Sequence, residues 1–211
     1  FQHYYASEAD EEIRSLIKDI NPLTTKLSND IYLNQDLFEK IKHVHDNHEC
    51  ENTNDKKLLS EIFNSFVRNG ANLNSDEKTR YREISQELSV LTPKFSENVV
   101  SASKKINMFW IEDENKLDGI PVNFIETAAE LSKKEGREGS WCFSLDTNFS
   151  ILLKFCKDRD IRREVLLLVG SKCNGGEYDN REILKSISKL RHEKANLLGF
   201  KTHADYVLSR R

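Results

Sequence analysis

The sequence predicts a mainly α protein, a multi-helix array carrying one small two-stranded β ribbon at about residues 106–111 and 141–145. Three observations predict it. Apolar residues recur at three- and four-residue spacing along most of the chain, the pattern of helices that bury one face. Only 3 prolines and 8 glycines occur in 211 residues, too few for the many turns of an all-β fold. Hydrophobic residues supply 37% and charged residues 32% of the chain, a balance that suits amphipathic helices rather than wholly buried ones. A chain of this length fits one helical region. It divides into first helices and a polar loop (1–56), a long-helix core (57–105), the ribbon with a helix (106–146) and C-terminal helices (147–211).

Taken in order, Ser7 and Asp10 mark a helix start, and Ile13, Leu16, Ile17 and Ile20 form its apolar face. Asn21-Pro22 pairs an N-cap residue with proline at a first helical position, so a second helix is expected to about Asp30. Asn34 caps a third, with Leu37, Phe38 and Ile41 facing inward. The polar run 43–57 reads as a mobile connection. Leu59, Ile62, Phe63 and Phe66 mark a short helix stopped by Asn69-Gly70. Asn74 and Glu77 then form a capping box that opens the longest helix, with the stripe Tyr81, Ile84, Leu88, Leu91, Phe95, Val99 and Ala102. Because the remaining sequence supplies helical partners, this stripe reads as a core helix rather than a coiled-coil seam. Pro93 inside it predicts a kink at residues 89–93.

INMFWI (106–111) and WCFSL (141–145) alternate as strands and are expected to pair. Two strands alone are marginally stable, so Trp110, Trp141 and Phe143 are expected to dock the ribbon on helices. Between them the turn Asp118-Gly119-Ile120-Pro121 leads into a helix at 122–134, which Gly136 stops. Helices at 149–155 and 161–169 follow, then a loop at 171–178 containing Gly175-Gly176. The last stretch, DNREILKSISKLRHEKANLLGFKTHADYVLSRR (179–211), holds a capping-box spacing at Asp179 and Glu182. Its apolar stripe is Ile183, Ile187, Leu190 and Leu197, widened by Leu184 and Leu198. Gly199 stops that helix and Thr202 with Asp205 caps another. No internal repeat has a solenoid period, which argues against a tetratricopeptide or HEAT array.

Several function classes are excluded or weakened. With 32 basic and 35 acidic residues the net charge is −3, so no electrostatic case for nucleic acid exists. No apolar run approaches the roughly 18 residues of a membrane span. Cys50, Cys142, Cys156 and Cys173 form no CxxC pair and no zinc-finger spacing, and read as thiols of a reducing compartment. The chain starts at Phe1 without a signal-peptide pattern, and a processed or truncated product is expected. A cytoplasmic location follows, with an exported bacterial location as the alternative. GxSxG, P-loop and GxGxxG motifs are missing. Asn148-Phe149-Ser150 matches a glycosylation sequon by pattern only. Arg159, Arg162 and Arg163 alternate with Asp158, Asp160 and Glu164, as on a solvated, ion-paired face.

Two places hold metal-ligand residue types. His43, His45, His48, Glu49 and Cys50 cluster in the polar run, but on a helix His43 and His45 would point about 200° apart. Only His45 with His48 or Glu49 would share a face, so the cluster reads as a solvated loop. A zinc peptidase helix needs HExxH, two histidines on one face with a glutamate to activate the metal-bound water. His48-Glu49 and His192-Glu193 begin such a motif, but four residues past each histidine stand Asn52 and Asn196. His192 and Glu193 fall on the polar side of their helix and are expected at the surface. No catalytic, cofactor-binding or metal-binding residue is assigned in this chain.

LRHEKANLLGFKTHADYVL (190–208) resembles a segment of the thimet-oligopeptidase-type zinc metallopeptidases. FVRNGANLNSDEKTRYREISQELSVLTPKFSENV (66–99) resembles the same family, and its FVRNGANL opening is similar to the peptidyl-dipeptidase (dipeptidyl carboxypeptidase) branch. DIYLNQDLF (30–38), GSWCFSLD (139–146) and RDIRREV (159–165) fit in the family's order. The resemblance implies the N-terminal, non-catalytic helical portion of an enzyme that removes C-terminal dipeptides from short peptides, with this region as a wall of the substrate channel. It also implies that zinc, HExxH, the third ligand and the residues stabilising the tetrahedral intermediate belong to a C-terminal catalytic region joined in cis. The alternatives are the same region of an endo-acting oligopeptidase, and a stand-alone helical interaction module.

Overall fold

A computed structural model describes residues 11–48 and 52–210. Among these residues the chain forms nine α-helices, one short 3-10 turn and one two-stranded antiparallel sheet. The mainly α class with a single ribbon is therefore the observed one. Two compact units are present. One comprises the chain up to Phe95 together with Glu182–Arg211, and the other is Ser96–Arg181.

In the first unit, α1 (Glu11–Tyr32) is one continuous helix with Pro22 inside it, not two helices joined at Asn21-Pro22. Proline removes one donor, and here the surrounding turns carry the helix through it. The Ser7–Asp10 start lies outside the described residues. Ile17 is buried, whereas Leu16, expected to face inward, is exposed along with Leu23, Leu27 and Ile31. Asn34 caps α2 (Gln35–Asn47), accepting from the Leu37 N–H at 2.9 Å. Phe38 is buried, but Leu37 is exposed. The run 43–57 is not the connection its polarity suggests, because α2 continues to Asn47 and α3 (Thr53–Arg68) begins a few residues later. Polar composition hides the helix there, whose last turn stacks the His45 ring on Phe63.

Phe38, Phe66 and Ala71 form a small buried cluster, with Tyr32, Ile41, Phe63 and Val67 packed against it. Ile62, expected to face inward on α3, is exposed instead. Gly70 ends the α3 stop at φ +92, where a Cβ would meet the Leu73 side chain. The capping box that opens α4 (Ser75–Lys105) is formed reciprocally, Asn74 N–H to Glu77 Oε2 at 3.0 Å and Glu77 N–H to Asn74 Oδ1 at 2.9 Å. The α4 stripe is only partly buried. Tyr81, Ile84 and Ala102 are inside, Leu88, Leu91 and Phe95 are half-buried, and Val99 is exposed. Ser85 and Asn98 are buried instead, because each makes a side-chain hydrogen bond to a packed neighbour. The helix runs through Pro93 without interruption.

Helix α8 (Arg181–Leu197) buries Ile187, Leu190 and Ala195, while Leu184 is exposed, so its apolar stripe is narrower than the sequence suggests. Asp179 accepts from the Arg181 N–H at 3.0 Å and holds its guanidinium at 2.7 Å. That charge keeps the Asp179 carboxyl well below the usual carboxylate range. Gly199 has φ +82, and the Phe200 N–H reaches back to the Ala195 carbonyl at 2.9 Å, a Schellman closure. Thr202 and Asp205 form a complete capping box on α9 (His203–Leu208).

In the second unit, β1 (Met108–Ile111) pairs with β2 (Trp141–Ser144) in the register Phe109↔Phe143 and Trp110↔Cys142. Phe109, Ile111 and Phe143 join Leu145 and Leu152 of α6 (Leu145–Phe155) and Ile161 and Val165 of α7 (Arg159–Gly170) in one core. Trp141 packs against this core, whereas Trp110 lies half-buried beneath the Arg137 guanidinium, 4.6 Å from its ring. Helix α5 (Val122–Lys134) has the expected bounds, and the turn before it brings Gly119 (φ +89) against the Phe155 carbonyl. A 3-10 turn at Glu114–Leu117, capped by Asp113, was not legible in the sequence. Asn98 donates to Asn180 at 2.8 Å with both residues buried, tying the end of the glycine-containing loop to α4.

Candidate functional site

The histidine cluster does not converge. His43 and His45 occupy the last turns of α2, and His48 caps it. The His45 ring stacks on Phe63 at 4.1 Å and its Nδ1 lies 2.9 Å from Asp46. His43 shares hydrogen bonds with Asn47, whose amide donates to the His43 carbonyl at 2.8 Å. Glu49 and Cys50 lie outside the described residues. Among the described residues no group of three or more His, Cys, Asp or Glu could hold a metal ion.

The second HE pair serves structure. Asn196, which stands where HExxH would place its second histidine, closes the end of α8. With its amide donating to the carbonyls of Phe200 at 3.0 Å and Lys201 at 3.3 Å, its oxygen accepts from His192 Nε2 at 3.0 Å. Glu193 is half-buried rather than a free surface residue. Its carboxylate takes Arg80 of α4 on both oxygens, at 2.6 and 2.9 Å, and the guanidinium holds the Glu193 carboxyl below its ordinary range. Arg162, expected on an ion-paired face, donates instead to the carbonyls of Cys156 at 2.6 Å and Lys157 at 2.8 Å. Cys142 and Cys156 are buried free thiols whose pKa burial pushes up, which makes them poor nucleophiles.

Arg68 holds the C-terminal helix. Its guanidinium lies 4.4 Å from the Tyr206 ring and 5.9 Å from that of Phe200, and Nη2 donates to the Tyr206 carbonyl at 2.7 Å. Nη1 reaches the Ser209 hydroxyl, and Arg210 pairs with Glu61 of α3 at 3.2 Å. The FVRNG turn and the GFKTHADY segment are thus one packed contact.

The chemically richest place in the first unit is a cavity of about 410 Å³ between α1, α4 and α8. Thr24, Thr25, Ser28 and Asn29 line it from α1, Ser85 and Ser89 from α4, and Lys194 from α8. The Lys194 ammonium donates to Ser85 Oγ at 3.2 Å and sits 4.3 Å from the centre of the Tyr81 ring. Burial alone lowers the Lys194 pKa to about 8, since no carboxylate among the described residues offsets it. The Tyr81 phenol is pushed up, chiefly by burial, and it contacts Asn69 Oδ1 at 3.4 Å. Nothing in the sequence singled out Lys194. It stands on the side of α8 bearing the buried Leu190, and a lysine turned toward such a face is the one available signal.

Comparison with known proteins accords with the packing of these segments. The description "Peptidase family M3" matches residues 152–211, which include α7, α8 and the Arg68-bound helix α9. The similarity of curated relatives extends over nearly the whole chain. Over residues 152–211 the chain is similar to Peptidase family M3. The probable cytosolic oligopeptidase A of Arabidopsis thaliana is 27% identical, over 98% of the chain and 31% of the relative. Dipeptidyl carboxypeptidase of Salmonella typhimurium is 27% identical over 97% of the chain and 30% of its own length. Oligopeptidase A of the same organism is also 27% identical, over 98% and 31%. The chain spans about a third of the length of these relatives.

Proposed function

We propose that this chain is the helical, non-catalytic part of a zinc metallopeptidase that removes dipeptides from the C termini of short peptides. The observation that carries the reading is the 27% identity with a dipeptidyl carboxypeptidase over 97% of the chain, beside the Peptidase family M3 match at residues 152–211. Neither HE pair of this sequence is followed by a histidine four residues on, so the zinc ligands and the general base belong to residues outside it. The contribution of this chain is steric and positional. Its helices form a wall of the substrate channel that admits unfolded peptides and excludes folded proteins. The partner is a catalytic region in cis, and the place of action is the cytoplasm, a reading that the probable cytosolic oligopeptidase A relative supports. No helix among the described residues is long and apolar enough to cross a membrane.

A second reading has a specific observation in its favour. Oligopeptidase A matches at the same 27% identity over nearly the same share of the chain, 98% against 97%, which supports an endo-acting oligopeptidase equally well at the level of sequence. The test is to express the complete reading frame that contains these codons and follow cleavage of a short peptide with a free or an amidated C terminus. Zinc-dependent release of dipeptides that requires the free carboxylate supports the exo-acting reading. Internal cleavage indifferent to amidation replaces it with the endo-acting one, and a frame with no HExxH refutes both.

A further inference from the structure

We propose that the cavity between α1, α4 and α8 is a binding site for a compact monocarboxylate, with Lys194 supplying the counter-charge. The inference is independent of the peptidase reading, because it rests on residues that the HExxH chemistry does not involve.

The argument begins with the ammonium. A lysine head taken out of water must recover its lost hydration from acceptors, and an unpaired buried charge is costly. Lys194 recovers part of it from Ser85 Oγ at 3.2 Å and part from the Tyr81 ring face at 4.3 Å. An ammonium carries three donors, so this pairing leaves capacity for an incoming acceptor. Besides Lys194 the lining consists of five serine and threonine hydroxyls, the amides of Asn29 and Asn69, Tyr81 and Leu88, and no acidic side chain is among the residues that line the cavity. Glu193, the nearest carboxylate in sequence, is held on both oxygens by Arg80. The site therefore has one positive charge, neutral donors around it, and room for several non-hydrogen atoms in about 410 Å³.

One charge matches a monoanion. A phosphate dianion is better served by guanidinium forks or by a run of backbone N–H groups, and neither lines this cavity. A carboxylate can place one oxygen on Lys194 and the other toward the α1 hydroxyls. Two sources offer this chemistry: a free small organic acid, and the C terminus of a short peptide.

The experiment titrates the 211-residue chain with sodium acetate, glycylglycine, glycylglycinamide and inorganic phosphate, in parallel with sodium chloride at matched ionic strength. Calorimetry reads affinity, and the lysine Nζ signals in nitrogen-15 NMR read the site directly. Saturable binding of acetate or glycylglycine that moves the Lys194 signal supports the proposal, as does loss of about tenfold or more in affinity on Lys194→Met. Tighter binding of glycylglycine than of acetate, with glycylglycinamide silent, assigns the peptide source; the reverse order assigns the free acid. Binding of phosphate alone, equal responses to chloride, or full affinity in Lys194→Met overturns it. Should Lys194→Met fail to fold, the Nζ signal of the unsubstituted chain decides: no movement with either carboxylate overturns the proposal.

Discussion

The guanidinium of Arg68 lies 4.4 Å from the centre of the Tyr206 ring while donating to the carbonyl of the same residue at 2.7 Å. One side chain at the end of α3 thereby holds both the ring and the backbone of the six-residue helix α9. A helix that short does not persist unaided. Arg68→Ala is expected to cost about 2 kcal/mol, from the cation–π contact and a charge-assisted hydrogen bond together. Amide protection over 203–208 should fall, while Tyr206→Phe, which keeps ring and carbonyl, should change little. Unchanged protection in Arg68→Ala would show that α9 is held by other contacts.

Ile84 is fully buried on α4, and Leu91, two turns further along, is only half-buried. Ile84→Ala is expected to destabilise by about 2–5 kcal/mol, the range for truncating a buried aliphatic side chain. Leu91→Ala should cost clearly less. Chemical denaturation of the two variants checks this, and equal losses would contradict the observed face of the helix.

Gly119 and Gly136 both have positive φ, +89 and +76, but different surroundings. A Cβ on Gly119 would come within 2.3 Å of the Phe155 carbonyl, whereas nothing lies within 4 Å of one on Gly136. Gly136→Ala should show only the backbone cost of about 1–2 kcal/mol. Gly119→Ala should be markedly worse, since the clash is with backbone and forces the turn away from α6. A melting comparison that ranks them the other way would refute the close approach.

The difference between these positions also explains what the sequence could reveal. Caps were legible because their chemistry is local: Asn34, the Asn74–Glu77 pair and the Thr202–Asp205 pair each satisfy N–H groups within three residues. Ribbon pairing was legible because INMFWI and WCFSL carry strand residues between turn signals. Burial on α1 and α4 was not, since Leu16 and Val99 share the spacing of buried residues and are nevertheless exposed. Pro22 misled because the proline rule describes a preferred position, and a long helix tolerates an exception. The Lys194 cavity was illegible because it joins residues 24–29, 85–89 and 194, whose proximity no local pattern encodes.

Lys194 sets a pH dependence of stability. Its folded pKa of about 8 lies below the ordinary lysine value of 10.5. Below about 8 both folded and unfolded chains carry the proton, and the burial cost is present in full. Between those two values the unfolded chain holds a proton that the folded chain has lost, so stability rises with pH through that window. The groups facing or flanking Lys194 are Tyr81, whose phenol titrates higher still, the Arg80–Glu193 pair, and Arg191 and His203. The His203 pKa is lowered, so this group titrates below the window. Lys194→Met should remove the rise, on the order of 3 kcal/mol by linkage. Parallel stability curves for both proteins from pH 7 to about 10.5 would refute a buried, depressed amine.

We have proposed that these helices serve a dipeptide-releasing zinc peptidase whose chemistry is carried by other residues of the same polypeptide. One measurement tests it most directly: the products formed from a free and an amidated peptide by the protein made from the complete reading frame, before and after zinc is stripped. The account predicts dipeptides from the free peptide only, no turnover after chelation, and recovery on adding zinc; the chain of residues 1–211 alone should hold no stoichiometric zinc and cleave neither peptide. Cleavage by residues 1–211 alone, or equal internal cleavage of both peptides by the complete protein, would contradict it.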